Sequence, residues 1–213
     1  MANRVTFLVD GFNLYHSVRQ AMDDTGHAHL RWLDIRSLLQ SYLHVFGTDA
    51  TLEEIHYFTA YAHHLTGSKP DVVNRHRVFV EVLQASGIKV QIARFKKKDV
   101  RCPSCGNRFR RHEEKETDVA IGVKAIELLH QDRCDTLVIV SGDTDVAPAI
   151  RTAQSLFPTK RVCVGFPHAR VNAELQQIAD FSFRIRDSQY GKYQFPDPVL
   201  LKSGRQLAKP PTW

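Results

Sequence analysis

With 213 residues, 43% of them hydrophobic and 24% charged, the chain has the balance of a folded globular protein, which excludes wholesale disorder. It is long enough for one well-buried domain and too short for two comfortable ones. The formal charge of +6 is local rather than general, because nine basic residues against three acidic ones between Arg94 and Lys115 account for all of it.

Taken in chain order, strand-like runs alternate with helical ones, the pattern of a mostly parallel α/β sheet. Arg4–Val9 reads as the first strand, and Gly11 permits a tight turn into a helix begun by Leu14, Tyr15 and Val18, with Tyr15, like Trp32, expected to pack. The apolar run before Asp10 is too short for a signal segment and ends on an acid rather than small cleavage-site residues. No stretch approaches the roughly 20 apolar residues of a membrane span, so a soluble, cytoplasmic protein without a membrane partner is expected. Leu33–Phe46 is predicted as a helix, Glu54–Ala60 as a strand, Asp71–Ala85 as a helix and Lys89–Phe95 as a strand. A basic excursion out of the sheet over 96–114 follows. Thr117–His130 is predicted as a helix with Val119, Val123, Ile126 and Leu129 on one face. Thr136–Val140 reads as the most buried strand, Val146–Leu156 as a helix, Arg161–Gly165 as a strand, Asn172–Ala179 as a short helix and Phe181–Arg186 as a last strand. One domain over 1–190 is expected. Residues 191–213, with Pro196, Pro198, Pro210 and Pro211 and little periodicity, read as a tail on the surface or disordered.

Four carboxylates stand out against this pattern. Asp10 closes the first strand, Asp118 opens a helix, and Asp143 and Asp145 follow the buried strand in Ser141-Gly142-Asp143-Thr144-Asp145. Each has a bland explanation, as a turn former or as a cap or dipole partner at a helix start. Their combination is harder to dismiss, because strand ends of a parallel sheet open into one crevice where the strand order reverses. Like charges held close raise each other's pKa unless a cation neutralises them. A crevice lined by carboxylates therefore points to hard divalent cations set over a phosphate.

The blocks Asp10-Gly11-Phe12-Asn13, Lys115-Glu116-Thr117-Asp118-Val119 and Ser141-Gly142-Asp143-Thr144-Asp145-Val146 resemble the signature blocks of the NYN domain, a family of the PIN-like nuclease superfamily, over about Arg4 to Arg186. The resemblance implies a three-layer α/β sandwich with a mostly parallel five- or six-stranded sheet, and metal-dependent endoribonuclease activity on RNA. It makes Asp10, Asp118, Asp143 and Asp145 the ligands of Mg²⁺ or Mn²⁺. Asn13 would orient a carboxylate or a phosphate, and Ser141 and Thr144 match the small polar positions of the last block. Members of the family include non-catalytic binders, so the fold alone does not settle activity. His16, one turn after Asn13, is a further candidate for a substrate contact, against the commoner case of a helix-surface histidine.

The basic excursion suits a polyanion. Lys96, Lys97, Lys98, Arg101, Arg108, Arg110 and Arg111 are candidate nucleic-acid contacts, with Phe95 and Phe109 interleaved as stacking platforms for unpaired bases. The plainer alternatives are a solvated loop and, for Phe95, a place in the core of its strand. Cys102-Pro103-Ser104-Cys105 has the form of half a zinc knuckle, with His112 as a third ligand or a second copy across a homodimer supplying the rest. Reversible redox chemistry and simple turn cysteines are the alternatives. Against the nuclease stand a non-catalytic RNA-binding or regulatory module working through a protein partner, and a phosphatase-like hydrolase suggested by Asp143-Thr144-Asp145. A dinucleotide enzyme is disfavoured, since no Gly-x-Gly-x-x-Gly follows the first strand.

Overall fold

The computed structural model of the chain describes residues 2–101, 103–211 and 213, and for 109–115 the backbone alone. In chain order the elements are β1 (Asn3–Asp10), α1 (Gly11–Thr25), α2 (Ile35–Gln40), β2 (Ala50–Ala60), α3 (Val72–Ala85), β3 (Lys89–Arg101), β4 (Arg108–Lys115), α4 (Thr117–His130), β5 (Thr136–Val140), α5 (Ala147–Leu156), β6 (Arg161–Phe166), α6 (Ala173–Ile178), β7 (Phe181–Arg184), α7 (Asp187–Lys192), β8 (Val199–Leu200) and β9 (Gln206–Leu207). Seven strands form the main sheet in the order β4-β3-β2-β1-β5-β6-β7. Six run parallel and β4 returns antiparallel to β3.

Alternation along the central strands builds the three layers, because successive side chains leave a strand on opposite faces. Val5, Phe7 and Val9 of β1, with Val138 and Val140 of β5, enter one core, which is closed by α1, α2 and α3. Leu8 of β1, with Leu137 and Ile139 of β5, enters a second core under α4, α5 and α6. Both strands are buried on both faces, which is why they read as unbroken apolar runs.

Four expectations need correction. The helix expected over Leu33–Phe46 breaks after Gln40 and resumes as a 3₁₀ turn at Leu43–Phe46, with Gly47 at a φ of 125° as its stop. The basic excursion does not leave the sheet: β3 continues to Arg101 and β4 pairs back along it from Arg108↔Arg101 to Lys115↔Arg94. On α4 the buried face is Thr117, Ile121, Ala125, Leu128 and Leu129, whereas Val119 and Val123 are 70% and 62% exposed. The two valines belong to the 3.6-residue period, but on the phase that faces away from the sheet. Tyr15, read as a packing residue, is 38% exposed.

The segment after β7 packs onto the first core. Tyr190 of α7 is fully buried, Phe195 and Leu207 are buried, and Trp213 lies 6.0 Å from Trp32 and 5.0 Å from Phe79 between ring centroids. Among the described residues no helix is long and apolar enough to cross a membrane.

Candidate active site and its basic hairpin

After β1 the chain steps outward to β2 and β3, then returns to lay β5 on the other flank of β1. The strand order therefore reverses between β1 and β5, and the crevice outside their carboxyl ends is where an open α/β sheet takes a ligand. Asp10 is the last residue of β1, and Ser141 directly follows β5.

Asp10 is buried. Its Oδ1 caps α1, accepting from the backbone N–H groups of Phe12 at 3.1 Å and Asn13 at 3.0 Å, and its Oδ2 accepts from the Ser141 hydroxyl at 3.0 Å. Burial pushes its carboxyl above the ordinary range, which these three donors oppose, and the charge of Asp143 adds to the rise. Ser141 Oγ in turn accepts from the Asp143 N–H at 3.1 Å, and Asp143 Oδ1 accepts from the Asp145 N–H at 3.1 Å. Asn13 Oδ1 accepts from the Gly142 N–H at 3.0 Å. The first and third sequence blocks are thus tied at two points, which fixes the separation of Asp10 from Asp143.

Two glycines are there for lack of room. A Cβ on Gly11 would stand 2.5 Å from the Phe58 carbonyl oxygen and 2.6 Å from the Tyr57 ring, and one on Gly142 would stand 2.0 Å from the Arg170 carbonyl oxygen. The first lets α1 start against β2; the second lets the loop after β6 lie across the loop after β5.

Asp118 sits in the first turn of α4, half-buried. Its carboxyl is pushed up to about 6, first by burial and then by the charges of Asp10, Asp143 and Asp145. Several acids elsewhere are neutralised. At the opposite end of the sheet, Asp135 meets Arg4 at 2.9 Å and Lys160 at 2.9 Å, Asp132 meets Lys160, and Glu54 meets Lys89, Arg133 and His56. Asp10, Asp118, Asp143 and Asp145 make no ion pair among the described residues. All four expected acids come from three separate segments to one crevice, leaving an uncompensated negative site with hard oxygen donors, the donor chemistry of a Mg²⁺ or Mn²⁺ site. Among the described residues no three such side chains stand together in ready-made coordination geometry.

The basic hairpin rises beside this crevice. β2 pairs with β3 only as far as Ala60↔Ala93, so Arg94–Arg101 and its β4 partner overhang the carboxyl edge of the sheet, the edge that carries Asp10. Lys96, Lys97, Lys98, Arg101 and Arg108 are exposed on it. Its base is fastened to the site. Arg94 reaches Glu116 at 2.8 Å and Lys96 reaches the same carboxylate at 3.6 Å, two residues before Asp118. Glu116 holds a φ of 83°, uncommon for a residue with a side chain, where β4 turns into α4. Phe95 is not a core residue of its strand; it is half-buried against Phe12 at 5.6 Å and His64 at 4.6 Å. The side chains of Phe109, Arg110, Arg111 and His112, and all of Cys102, lie outside the described residues, so the zinc knuckle is represented by an exposed Cys105 alone. Cys134 and Cys163 are buried, with thiols raised by burial to about 11 and about 12, and act as small core residues. His16 is exposed, its pKa lowered by partial burial and by the charges of Arg170 and Arg19.

Sequence reasoning identified the acids but missed how they are held. The Asn13–Gly142 tie joins positions 129 apart, a separation at which no local pattern operates. The overlying Arg170 carbonyl gives no sequence signal of its own, although an obligate small residue in Ser141-Gly142-Asp143 hints at something close above.

The parallel sheet with its acid crevice at the switch point defines the class, an α/β fold of the PIN-like kind. The NYN domain matches residues 4–186, and the chain belongs to that family, within the PIN-like nuclease superfamily. Among solved structures, a protein of unknown function from Vibrio parahaemolyticus is similar at a TM-score of 0.57, with 20% identity over 87% of this chain and 94% of the other. That likeness is one of fold. No curated protein sequence matches the chain.

Proposed function

We propose that the chain is a metal-dependent endoribonuclease. The observation that carries the reading is the contrast between acids: Asp132, Asp135 and Glu54 toward the amino edge of the sheet are paired with cations, whereas Asp10, Asp118, Asp143 and Asp145 face one another without any. Clustered, unneutralised carboxylates only repel a polyanion; with a divalent ion between them they attract its phosphate.

Asp10, Asp118, Asp143 and Asp145 would hold Mg²⁺ or Mn²⁺, which when bound supplies Lewis acidity toward a phosphodiester and lowers the pKa of an attacking water. The chain's own contribution is positioning. Ser141 and the α1 N-terminus fix both oxygens of Asp10, and Asn13 holds the Asp143 loop at a set distance. The hairpin cations track the backbone of the strand on both sides of the cut. Cleavage of a labelled single-stranded RNA should require Mn²⁺ or Mg²⁺ and stop in EDTA. Cutting that persists in EDTA would remove the metal from the reaction.

A second reading is a regulatory RNA-binding module, favoured by the lack of ready-made coordination geometry among the described residues. Retention of RNA without cutting at any divalent ion concentration would select it. In either case Arg110→Ala with Arg111→Ala should weaken binding and flatten its dependence on salt, by about 0.7 in the log–log slope for each phosphate no longer neutralised. An unchanged slope would make this part of the hairpin a solvated edge.

A further inference from the structure

A cavity of about 550 Å³ lies against the acid crevice, walled by the start of α1, the end of β2, the α3 side and Phe95 of the hairpin. We propose that it receives one unpaired nucleotide of the bound strand, its base between aromatic walls and its phosphate held by Arg19, Arg31 and Lys69. The proposal rests on the nuclease reading for the identity of the strand.

Four observations converge on this ligand. First, the volume falls within the range of small-ligand pockets and suits a nucleoside monophosphate. Second, the charged side chains of the wall have one sign. Among the described residues no aspartate or glutamate lines it, and Arg19, Arg31 and Lys69 make no ion pair. Arg75, a further cation in the wall, is held by Asp71 at 3.2 Å. Third, two ring pairs line the space, Phe12 with Phe95 and Phe79 with Trp213. Aromatic faces with cations close by are the recipe for an unstacked base joined to a phosphate. Fourth, the wall is short of acceptors. Arg31 Nε and Trp213 Nε1 are buried without a hydrogen-bond partner, an imbalance that a ligand rich in acceptor oxygens and ring nitrogens corrects.

His76 adds discrimination by hydrogen bonding rather than by charge. Burial lowers its pKa to about 4, so the imidazole is neutral near pH 7, and its Nε2 lies 3.3 Å from Thr59 Oγ1 in the same wall. The place of the cavity links it to cleavage, since Gly11 and Phe12 in its wall directly follow Asp10. A nucleotide seated there would set which phosphate in the strand meets the acids.

The test uses the whole chain in EDTA, where nothing is cut. Both of its tryptophans report on the site, Trp213 from the wall and Trp32 packed on it at 6.0 Å. Adenosine 5′-monophosphate should change their fluorescence saturably, and adenosine and inorganic phosphate should each bind at least about tenfold more weakly. Reversing the exposed cations with Arg19→Glu and Lys69→Glu together should weaken the monophosphate by about tenfold or more and leave adenosine unchanged. Phosphate binding as tightly as the nucleotide would reduce the cavity to an anion site and overturn base recognition. So would nucleotide binding undiminished in the double variant. A chain that cuts RNA with Mn²⁺ yet shows no saturable response to the nucleotide overturns the cavity proposal while the nuclease reading stands. Saturable, charge-dependent nucleotide binding by a chain that never cuts RNA supports the cavity and counts against the nuclease.

Discussion

Asp10→Asn and Asp143→Asn are each expected to lower the rate of RNA cleavage on the order of a thousandfold, about 4 kcal/mol of transition-state stabilisation, with no loss of fold. The retained fold follows from the hydrogen bonds. An asparagine at position 10 keeps an oxygen to accept from the Phe12 and Asn13 N–H groups, and asparagine caps a helix as well as aspartate does. Its amide would meet the Ser141 hydroxyl, whose oxygen already accepts from the Asp143 N–H and can turn to accept again. Because burial raises the Asp10 carboxyl above its ordinary range, the neutral amide also removes a desolvation cost. The melting temperature should therefore stay level or rise while cutting disappears. At position 143 the same logic holds for the bond from the Asp145 N–H to Oδ1. Cleavage rates and thermal melts of the purified variants decide the matter; wild-type cutting by both would show that these acids do not hold the reacting ion. Such a split between stability and activity is what a site built of mutually repelling acids predicts.

Gly142→Ala should do the opposite and damage fold and activity together. Its Cβ would lie 2.0 Å from the Arg170 carbonyl oxygen, and the obstacle is backbone rather than a side-chain tip that could swing aside. Either the loop after β5 or the loop after β6 must move, at a cost of about 3 kcal/mol, the upper end of ordinary overpacking. The Gly142 N–H would be displaced from Asn13, and Asp143 and Asp145 would move with it. Gly191→Ala is the matched control. There the added methyl meets only Leu30 Cδ2 at 3.6 Å, within α7, so that variant should match or exceed wild type by up to about 1 kcal/mol. Urea melts and cleavage of the two variants in parallel give the comparison. Equal stability of Gly142→Ala and wild type would mean that the loops are free to part.

Most of the sheet is legible because its strands announce themselves. Thr136–Val140 is the predicted strand residue for residue, and β1 differs from prediction by one residue at each end. Both are buried on both faces, so apolar runs alone define them. The acids are legible for a related reason, since a charge at the end of an apolar strand is conspicuous. The hairpin is not. Lys96-Lys97-Lys98 has low strand propensity and no alternation, and only pairing with β4 holds it extended. The phase of α4 is hidden as well. Val119 and Val123 are as apolar as Ile121 and Ala125, and periodicity alone cannot say which stripe meets the sheet. Beyond Pro196, prolines conceal Leu207 and Trp213, which reach the core through neighbours distant in sequence. The cavity has no linear signature at all, because its wall is drawn from several separate segments between Gly11 and Phe95 together with Trp213.

The place of β5 beside β1 has a consequence for the life of the chain. Ser141 and Asp10 stand 131 residues apart in sequence and touch only when β5 docks on the central strand. Pairings so remote form late, after the intervening segments have closed their own loops. A polypeptide emerging from the ribosome would thus be unable to gather these acids before the segment around Ser141 had been made. The acid crevice is a product of tertiary docking, drawn from pieces none of which carries it alone.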